Sequence, residues 1–469
     1  MHAMRSLAAM LFAVFAVGCN TDEVLPGPAE WNRTVTAPSD SDAQAQRLSC
    51  GYKAGALPAE TQGKSAPMGK KIPLDTIVVV MMENRSFDHY FQKLPEAGQP
   101  DVEVAPADYT NPDVDGTPLK PTRDLQRCFV DTAHGWNAVH RQYNGGKMDG
   151  FVKTNDGEHE GPANVPMEML RGTRALTYYA PEDLPFMFWA ANTFAVADHY
   201  HSSVLGPTWP NRMYLYSASS WGKTDNHFPS DVASTLFREL NARQIEWKVY
   251  AHRLPGFGVL IDDYTSFPEN VRPIDEFFSD AAAGKLPPVV FVDPDIGHER
   301  PAANDEHPPA VMTVGQEWMS RVADAMMKSP QWKRSALFIT YDEHGGLYDH
   351  VVPPPACPPD DGHGVEISAT DEQAAFDRYG VRVPMVVISP FAKAHFVGHR
   401  TYDHTSILRL IQARWTLPAI TGRDANAEAP WDMFDFDKPA FSTPPTGLPT
   451  VMIDQAQVDA CTRLFGAEP

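Results

Sequence analysis

Four short apolar runs, at 72–81, 288–292, 336–341 and 383–389, constrain this chain more than any other feature. They are rich in β-branched residues and show no polar alternation, which suits strands buried on both faces, as in a parallel sheet covered by helices. Patterns with helical spacing lie between and after them, at 233–243, 314–328 and 404–415. Strands alternating with helices predict an α/β fold, a sandwich whose mostly parallel central β-sheet is flanked by helices. Segments 95–125 and 416–450 are rich in Pro and Asp and are expected to be irregular surface excursions.

The 469 residues are 43% hydrophobic and 10% aromatic, which excludes wholesale disorder. Asp and Glu number 60 against 39 Lys and Arg, a formal net charge of −21. Such a chain lacks the basic footprint of a nucleic-acid-binding protein. It also lacks the polybasic signature of adsorption to anionic membranes.

Residues 1–18 read as a lipoprotein-type signal peptide. Arg5 precedes an apolar stretch at 7–17, too short to span a membrane. The sequence Ala16-Val17-Gly18-Cys19 then makes Cys19 the expected lipid anchor to an envelope membrane. The plainer alternative is a secretory signal with an incidental cysteine, giving a periplasmic or secreted protein. Residues 19–72 are expected to be a tether and N-terminal arm, 73–415 the catalytic domain, and 416–469 a C-terminal segment packing on the same domain. Cys50, Cys128, Cys357 and Cys461 remain, and an even number in an exported chain predicts two disulfides. Three pairings are open.

The chemistry sits where strands end. The first run leads into Glu83-Asn84, and the run at 336–341 leads into Asp342-Glu343. Ligands of open α/β sheets gather at the carboxyl ends of strands. If these two strands are neighbours, the four side chains converge, and carboxylates that close repel unless a cation lies between them. Hard oxygen donors favour one divalent ion, Ca²⁺, Mg²⁺ or Mn²⁺, with Zn²⁺ possible. The alternative is that these acids cap helices and pair with Arg. Thr208 opens a helical pattern with Pro210 in its first turn, so its hydroxyl is either an N-cap or a group facing a phosphate site at a helix start. Many of the 17 histidines stand in apparent loops, among them His134, His307, His350 and His404, as a polar active site requires.

Several stretches occur in a fixed order: Met82-Glu83-Asn84-Arg85-Ser86-Phe87-Asp88-His89-Tyr90-Phe91, His134-Gly135-Trp136, Gly206-Pro207-Thr208-Trp209-Pro210-Asn211-Arg212, Asp305-Glu306-His307-Pro308-Pro309, Thr340-Tyr341-Asp342-Glu343-His344-Gly345-Gly346 and Asp403-His404-Thr405-Ser406. Together they resemble the bacterial phosphoesterase family that contains phosphatidylcholine-hydrolysing phospholipases C and an acid phosphatase. The resemblance implies an alkaline-phosphatase-like fold with one central metal held by Glu83, Asn84, Asp342 and Glu343. It implies Thr208 as nucleophile, His134 and His307 as phosphate-contacting or proton-transferring residues, and Asn211, His350 and His404 as substrate-binding residues. Gln92 departs from the family's usual Gly. The nucleophile position carries Thr, as in the phospholipase branch, where the acid phosphatase has Ser. The expected activity is metal-dependent phosphodiester cleavage of phospholipase C type through a phosphothreonine, releasing a phosphorylated head group. The alternative is a broad acid phosphatase acting on monoesters. The expected partner is a phospholipid or small phosphate ester. Trp136, Trp209 and Tyr143 are candidates for an aromatic cage around a quaternary ammonium, or for core packing.

Overall fold

Thr76–Met82 (β1) and Ser335–Tyr341 (β6) are buried along their whole length and pair in parallel, Met82 opposite Tyr341. They form the middle of an eight-stranded sheet. The computed structural model describes residues 25–125, 128–160, 166–254, 256, 267–297 and 300–466, so the signal peptide and Cys19 lie outside the described residues. The other strands are Ala195–Ala197 (β2), Trp247–Ala251 (β3), Val271–Pro273 (β4), Val289–Asp293 (β5), Met385–Ile388 (β7) and Phe396–Gly398 (β8). Their order is β8-β2-β7-β6-β1-β5-β3-β4. Every pairing is parallel except those of β7, which runs against both β6 and β2.

The helices fall into two packed groups. Met312–Lys328 lies against Ile274–Ala283 and Pro185–Thr193, while His404–Trp415 lies against Thr208–Ser217. Covering both faces removes the strands from water, which is why they carry continuous apolar sequence.

The mostly parallel α/β sheet agrees with the sequence reading. The run at 383–389 supplies the one reversed strand. Three strands of three residues, β2, β4 and β8, give no run long enough to notice, and the apolar sequence of β3 is interrupted by Lys248. The segment 416–450 is only partly a surface excursion, because Ala419, Thr421, Arg423 and Asp424 are buried. Arg423 draws it inward by donating to the carbonyls of Ser203 and Phe376, each at 2.7 Å. Residues of the N-terminal arm also pack on the body. Gln62 Nε2 donates to Ala427 O at 2.9 Å, and Arg409 Nη2 to Thr61 Oγ1 at 2.6 Å. Among the described residues no helix is long and apolar enough to cross a membrane.

Two disulfides pair Cys50 with Cys357 and Cys128 with Cys461, fastening the arm and the C-terminal helix Gln455–Phe465 to the body. They close loops of 307 and 333 residues. The chain-entropy argument assigns such a link about 5 kcal/mol, or roughly 5 °C in a chain of this size. Cys50→Ser/Cys357→Ser is therefore expected to lower the thermal midpoint by about that amount in a calorimetric scan. An unchanged midpoint would show that the arm is held by its packing alone.

Candidate active site

The parallel register of β1 and β6 brings Glu83-Asn84 and Asp342-Glu343 together at one edge of the sheet. Asn84 N–H donates to Asp342 Oδ1 at 3.1 Å, and Asp342 N–H to Met82 O at 3.1 Å. A third loop joins them, since Glu83 N–H donates to Asp305 O at 3.0 Å. Four carboxylates, Glu83, Asp305, Asp342 and Glu343, are thus buried in one place. The permanent cation against them is Arg212, whose Nε donates to Asp342 Oδ2 at 3.0 Å and whose Nη2 lies 3.9 Å from Glu83 Oε1.

Charge and hydrogen bonding at this centre are out of balance. Among the described residues, Glu83 Oε2, Asn84 Oδ1, Asp305 Oδ2 and Glu343 Oε1 are buried and accept no hydrogen bond. Burial and the neighbouring acids Glu83 and Glu343 push Asp342 up to about 8, against the pull of Arg212. Burial likewise pushes Glu343 up to about 7, and Asp305 is raised strongly by burial and by Glu83. Carboxylate and amide oxygens with open lone pairs, short of positive charge, are the donor set of a hard divalent cation. The residues present fit such an ion.

Two histidines stand beside the acids. His134 Nδ1–H donates to Thr132 O at 2.7 Å, and Nε2 lies 3.2 Å from Asn84 Nδ2 and 3.8 Å from Glu343 Oε1. Burial opposes charge on His134, but Glu160, Asp131 and Glu343 outweigh it and raise its pKa well above the usual value. His307 lies with its ring centroid 5.7 Å from that of His134. Burial and the neighbouring His134 charge push it down to about 4. The two neighbouring imidazoles are thus shifted in opposite directions, His134 up and His307 down. Asp131, His134 and His307 also bring ligand atoms within 4.8 Å of one another, a second group able to hold a cation.

Thr208 is the first residue of the helix Thr208–Ser217, whose N-cap is Pro207, so the hydroxyl is not the cap. Arg212 follows one turn later on the same helix face, and its grip on Asp342 aims that face at the carboxylates. Pro207 lines a cleft of about 630 Å³ with Ala133, Gly135, Trp136 and Glu160.

The other expected site residues are placed differently. Asn211 is buried and fully used in shaping the loop before Thr208: Oδ1 accepts from Val204 N–H, and Nδ2 donates to Gly206 O and Pro207 O. His404 is buried and pushed down to about 3 by burial. Its Nε2–H donates to Asp342 O at 2.7 Å and its Nδ1 accepts from Tyr200 OH at 3.0 Å, so it holds the ligand backbone and has no nitrogen left for substrate. His350 belongs to another cluster, with Asp88 at 2.6 Å and Glu103 at 3.4 Å, where Arg382 bridges Asp88 and Asp349. Of the three aromatic residues, Trp136 lines the cleft, Trp209 packs on Phe228 and Tyr143 lies under Arg378.

Sequence reading gave no role to Asp131, Glu160 or Asp305. The signal for Asp305 was present in Asp305-Glu306-His307, and for Asp131 in its position three residues before His134. Glu160 carries no motif; it reaches the site by accepting the N–H groups of His134 and Gly135 at 2.9 and 2.8 Å.

The carboxylate cluster at the carboxyl edge of the mostly parallel sheet, the start of the helix at Thr208 and the two histidines all come from residues 83–343. The Phosphoesterase family profile matches residues 74–418, and the chain belongs to that family. It is 31% identical over 422 residues to non-specific phospholipase C6 of Arabidopsis thaliana, covering 83% of this chain and 76% of that one. It is 29% identical over 471 residues to phospholipase C B of Mycobacterium tuberculosis, covering 88% of this chain and 86% of that one. A solved protein of the alkaline phosphatase superfamily from Vibrio parahaemolyticus overlaps 72% of this chain and 77% of its own, with 9% identity and a TM-score of 0.30.

The raised carboxyl groups fix a pH dependence. Asp342 and Glu343 titrate higher in the folded protein than in an unfolded chain, so their contribution to stability is full at low pH and lost as pH rises through about 7 to 8. Metal-free protein should therefore lose thermal midpoint between about pH 4 and pH 8. Added Mg²⁺ or Mn²⁺ should restore it, more at the upper end. A metal-free midpoint that stays level or rises across that window would contradict this charge balance.

Proposed function

We propose that this phosphoesterase cleaves phosphodiesters in the manner of phospholipase C, with Thr208 as nucleophile, and releases a phosphorylated head group. The observation that carries the reading is the set of four buried oxygens, on Glu83, Asn84, Asp305 and Glu343, that accept no hydrogen bond from the described residues, beside a helix that begins at Thr208. The names of the two relatives support phospholipid as the substrate class.

Glu83, Asn84, Asp342 and Glu343 would hold one divalent ion, with Asp305 as an added donor. Such an ion supplies Lewis-acid charge to the oxygens around phosphorus. Thr208 gives up its proton to solvent water as its oxygen attacks phosphorus in line, and it regains one from solvent when the phosphothreonine breaks. The dipole of its helix favours negative charge at that end. His134 protonates the departing alcohol oxygen, which leaves as diacylglycerol. The same imidazole, now neutral, takes a proton from a water that attacks the phosphothreonine. The bond to Thr208 breaks, and the head group leaves as its phosphate ester. His307 contacts the phosphoryl group as a neutral donor or acceptor. Two displacements at phosphorus give net retention.

The two disulfides fit an exported chain. Lipidation at Cys19 would hold the enzyme beside its lipid substrate, and Cys19→Ala should then move activity from the membrane fraction to the soluble one.

Thr208→Ala is expected to lose on the order of 10³-fold or more in kcat on a nitrophenyl phosphorylcholine diester, several kcal/mol of transition-state stabilisation. A chelator should abolish the wild-type rate and Mg²⁺, Mn²⁺ or Ca²⁺ restore it. Near-normal turnover by Thr208→Ala would remove the nucleophile assignment. Faster cleavage of nitrophenyl phosphate than of the diester, below neutral pH, would establish the monoesterase alternative instead.

A further inference from the structure

Glu306 stands between two site residues, Asp305 and His307, yet its carboxylate turns away from them into the core and is fully buried. Its backbone is left-handed, with φ +69°, a conformation that L side chains rarely adopt. The carboxylate has three donors. Tyr90 OH donates to Oε2 at 3.0 Å, Tyr341 OH donates to the same oxygen, and Gln316 Nε2 donates to Oε1 at 2.9 Å. The two phenol oxygens are 2.8 Å apart. Arg85 Nε donates to the Glu306 carbonyl at 2.9 Å.

These partners come from the segments that carry the site. Tyr341 immediately precedes Asp342. Arg85 immediately follows Asn84, and Tyr90 lies in the short helix Phe87–Phe91 that follows it. Gln316 lies in the helix Met312–Lys328. Its neighbour Gly315 sits in the interior of that helix, where glycine is less favourable than alanine. A Cβ at Gly315 would stand 2.2 Å from Glu306 Cγ and 2.8 Å from its Oε1. The missing side chain is the seat of the carboxylate.

We propose that Glu306, seated on Gly315, is a positioning residue that locks the Glu83-Asn84, Asp305-His307 and Asp342-Glu343 segments in one mutual arrangement. It touches no reacting atom and acts through Tyr90, Tyr341 and its own two neighbours. The inference rests on the site reading given under the proposed function.

Gly315→Ala is the decisive substitution, because it raises helix propensity while displacing Glu306. Full-length protein carrying it is assayed on the nitrophenyl phosphorylcholine diester beside wild type, Tyr90→Phe, the double variant and Thr208→Ala, with circular dichroism and a melting curve for each. Gly315→Ala should fold cooperatively and lose about 10- to 100-fold in kcat, the scale of a misplacement near 1 Å, with KM held within about threefold. Tyr90→Phe should lose kcat in the same manner. The double variant should lose less than the product of the two, since both act through one carboxylate. A folded Gly315→Ala with wild-type kcat, or fully multiplicative losses, would overturn the proposal. If Gly315→Ala does not fold, Tyr90→Phe decides alone, and a wild-type kcat there overturns it. Full activity in Thr208→Ala would instead fault the site reading. An inactive Thr208→Ala beside wild-type Gly315→Ala and Tyr90→Phe would fault only the positioning role.

Discussion

A concentration of buried carboxyl groups at the carboxyl edge of the sheet organises this protein. Four carboxyl groups meet where β1, β6 and the loop at 305–307 converge, and among the described residues the guanidinium of Arg212 answers them directly. Arg212 does more than balance charge. It donates to the carbonyls of Met81 and Met82 at 3.2 and 3.0 Å as well as to Asp342, so it ties the helix Thr208–Ser217 to the strand ends. The place of Thr208 follows from that tie. A guanidinium can make such a fan of contacts because its donors are fixed in one plane, and an ammonium cannot. What Arg212 leaves unanswered is the charge deficit that a divalent ion fits.

Two loops hold the cluster at a conformational cost. Asn84 has φ +62° and Glu306 φ +69°, both left-handed without being glycine. At the third loop glycine is required: Gly345 has φ +62°, and a Cβ there would stand 2.4 Å from Asn84 O. The loop after β6 therefore lies directly on the loop after β1. Strain of this kind persists only where surrounding contacts over-determine the backbone. Here those contacts are the Glu306 carboxylate network and the His404 bond to Asp342 O.

The legible part of this architecture is the part written locally. Buried strands announce themselves as apolar runs, and the residues after them as ligand candidates, because strand, turn and side chain are contiguous. The helix at 404–415 was readable to the residue, since its capping Asp403 and its apolar spacing are local too. Roles that depend on distant partners were not readable. Asn211 and His404 belong to matching motifs, but only the fold shows that their polar atoms are consumed by Val204, Gly206, Pro207, Asp342 and Tyr200. His350 likewise pairs with Asp88 and Glu103, far away in sequence. Glu306 and Gly315 stand nine positions apart, and neither hints at the other without coordinates. The edge strands β4 and β8, three residues each, are created by their neighbours more than by their own propensity.

The overall acidity of the chain and an anionic substrate are reconciled by where positive charge is kept. Asp131, Glu160 and Glu343 raise the His134 imidazole, so the acids that seem hostile to phosphate favour positive charge beside the oxygen cluster. Two of them are inside the site, while Glu160 is 38% exposed at its side chain and faces the cleft. A cation at the oxygen cluster would neutralise Glu343 and repel an imidazolium at His134, leaving Asp131 and Glu160 to oppose that repulsion. The neutral His307 completes the division of labour, because a second imidazolium there would face the first across 5.7 Å in a buried site.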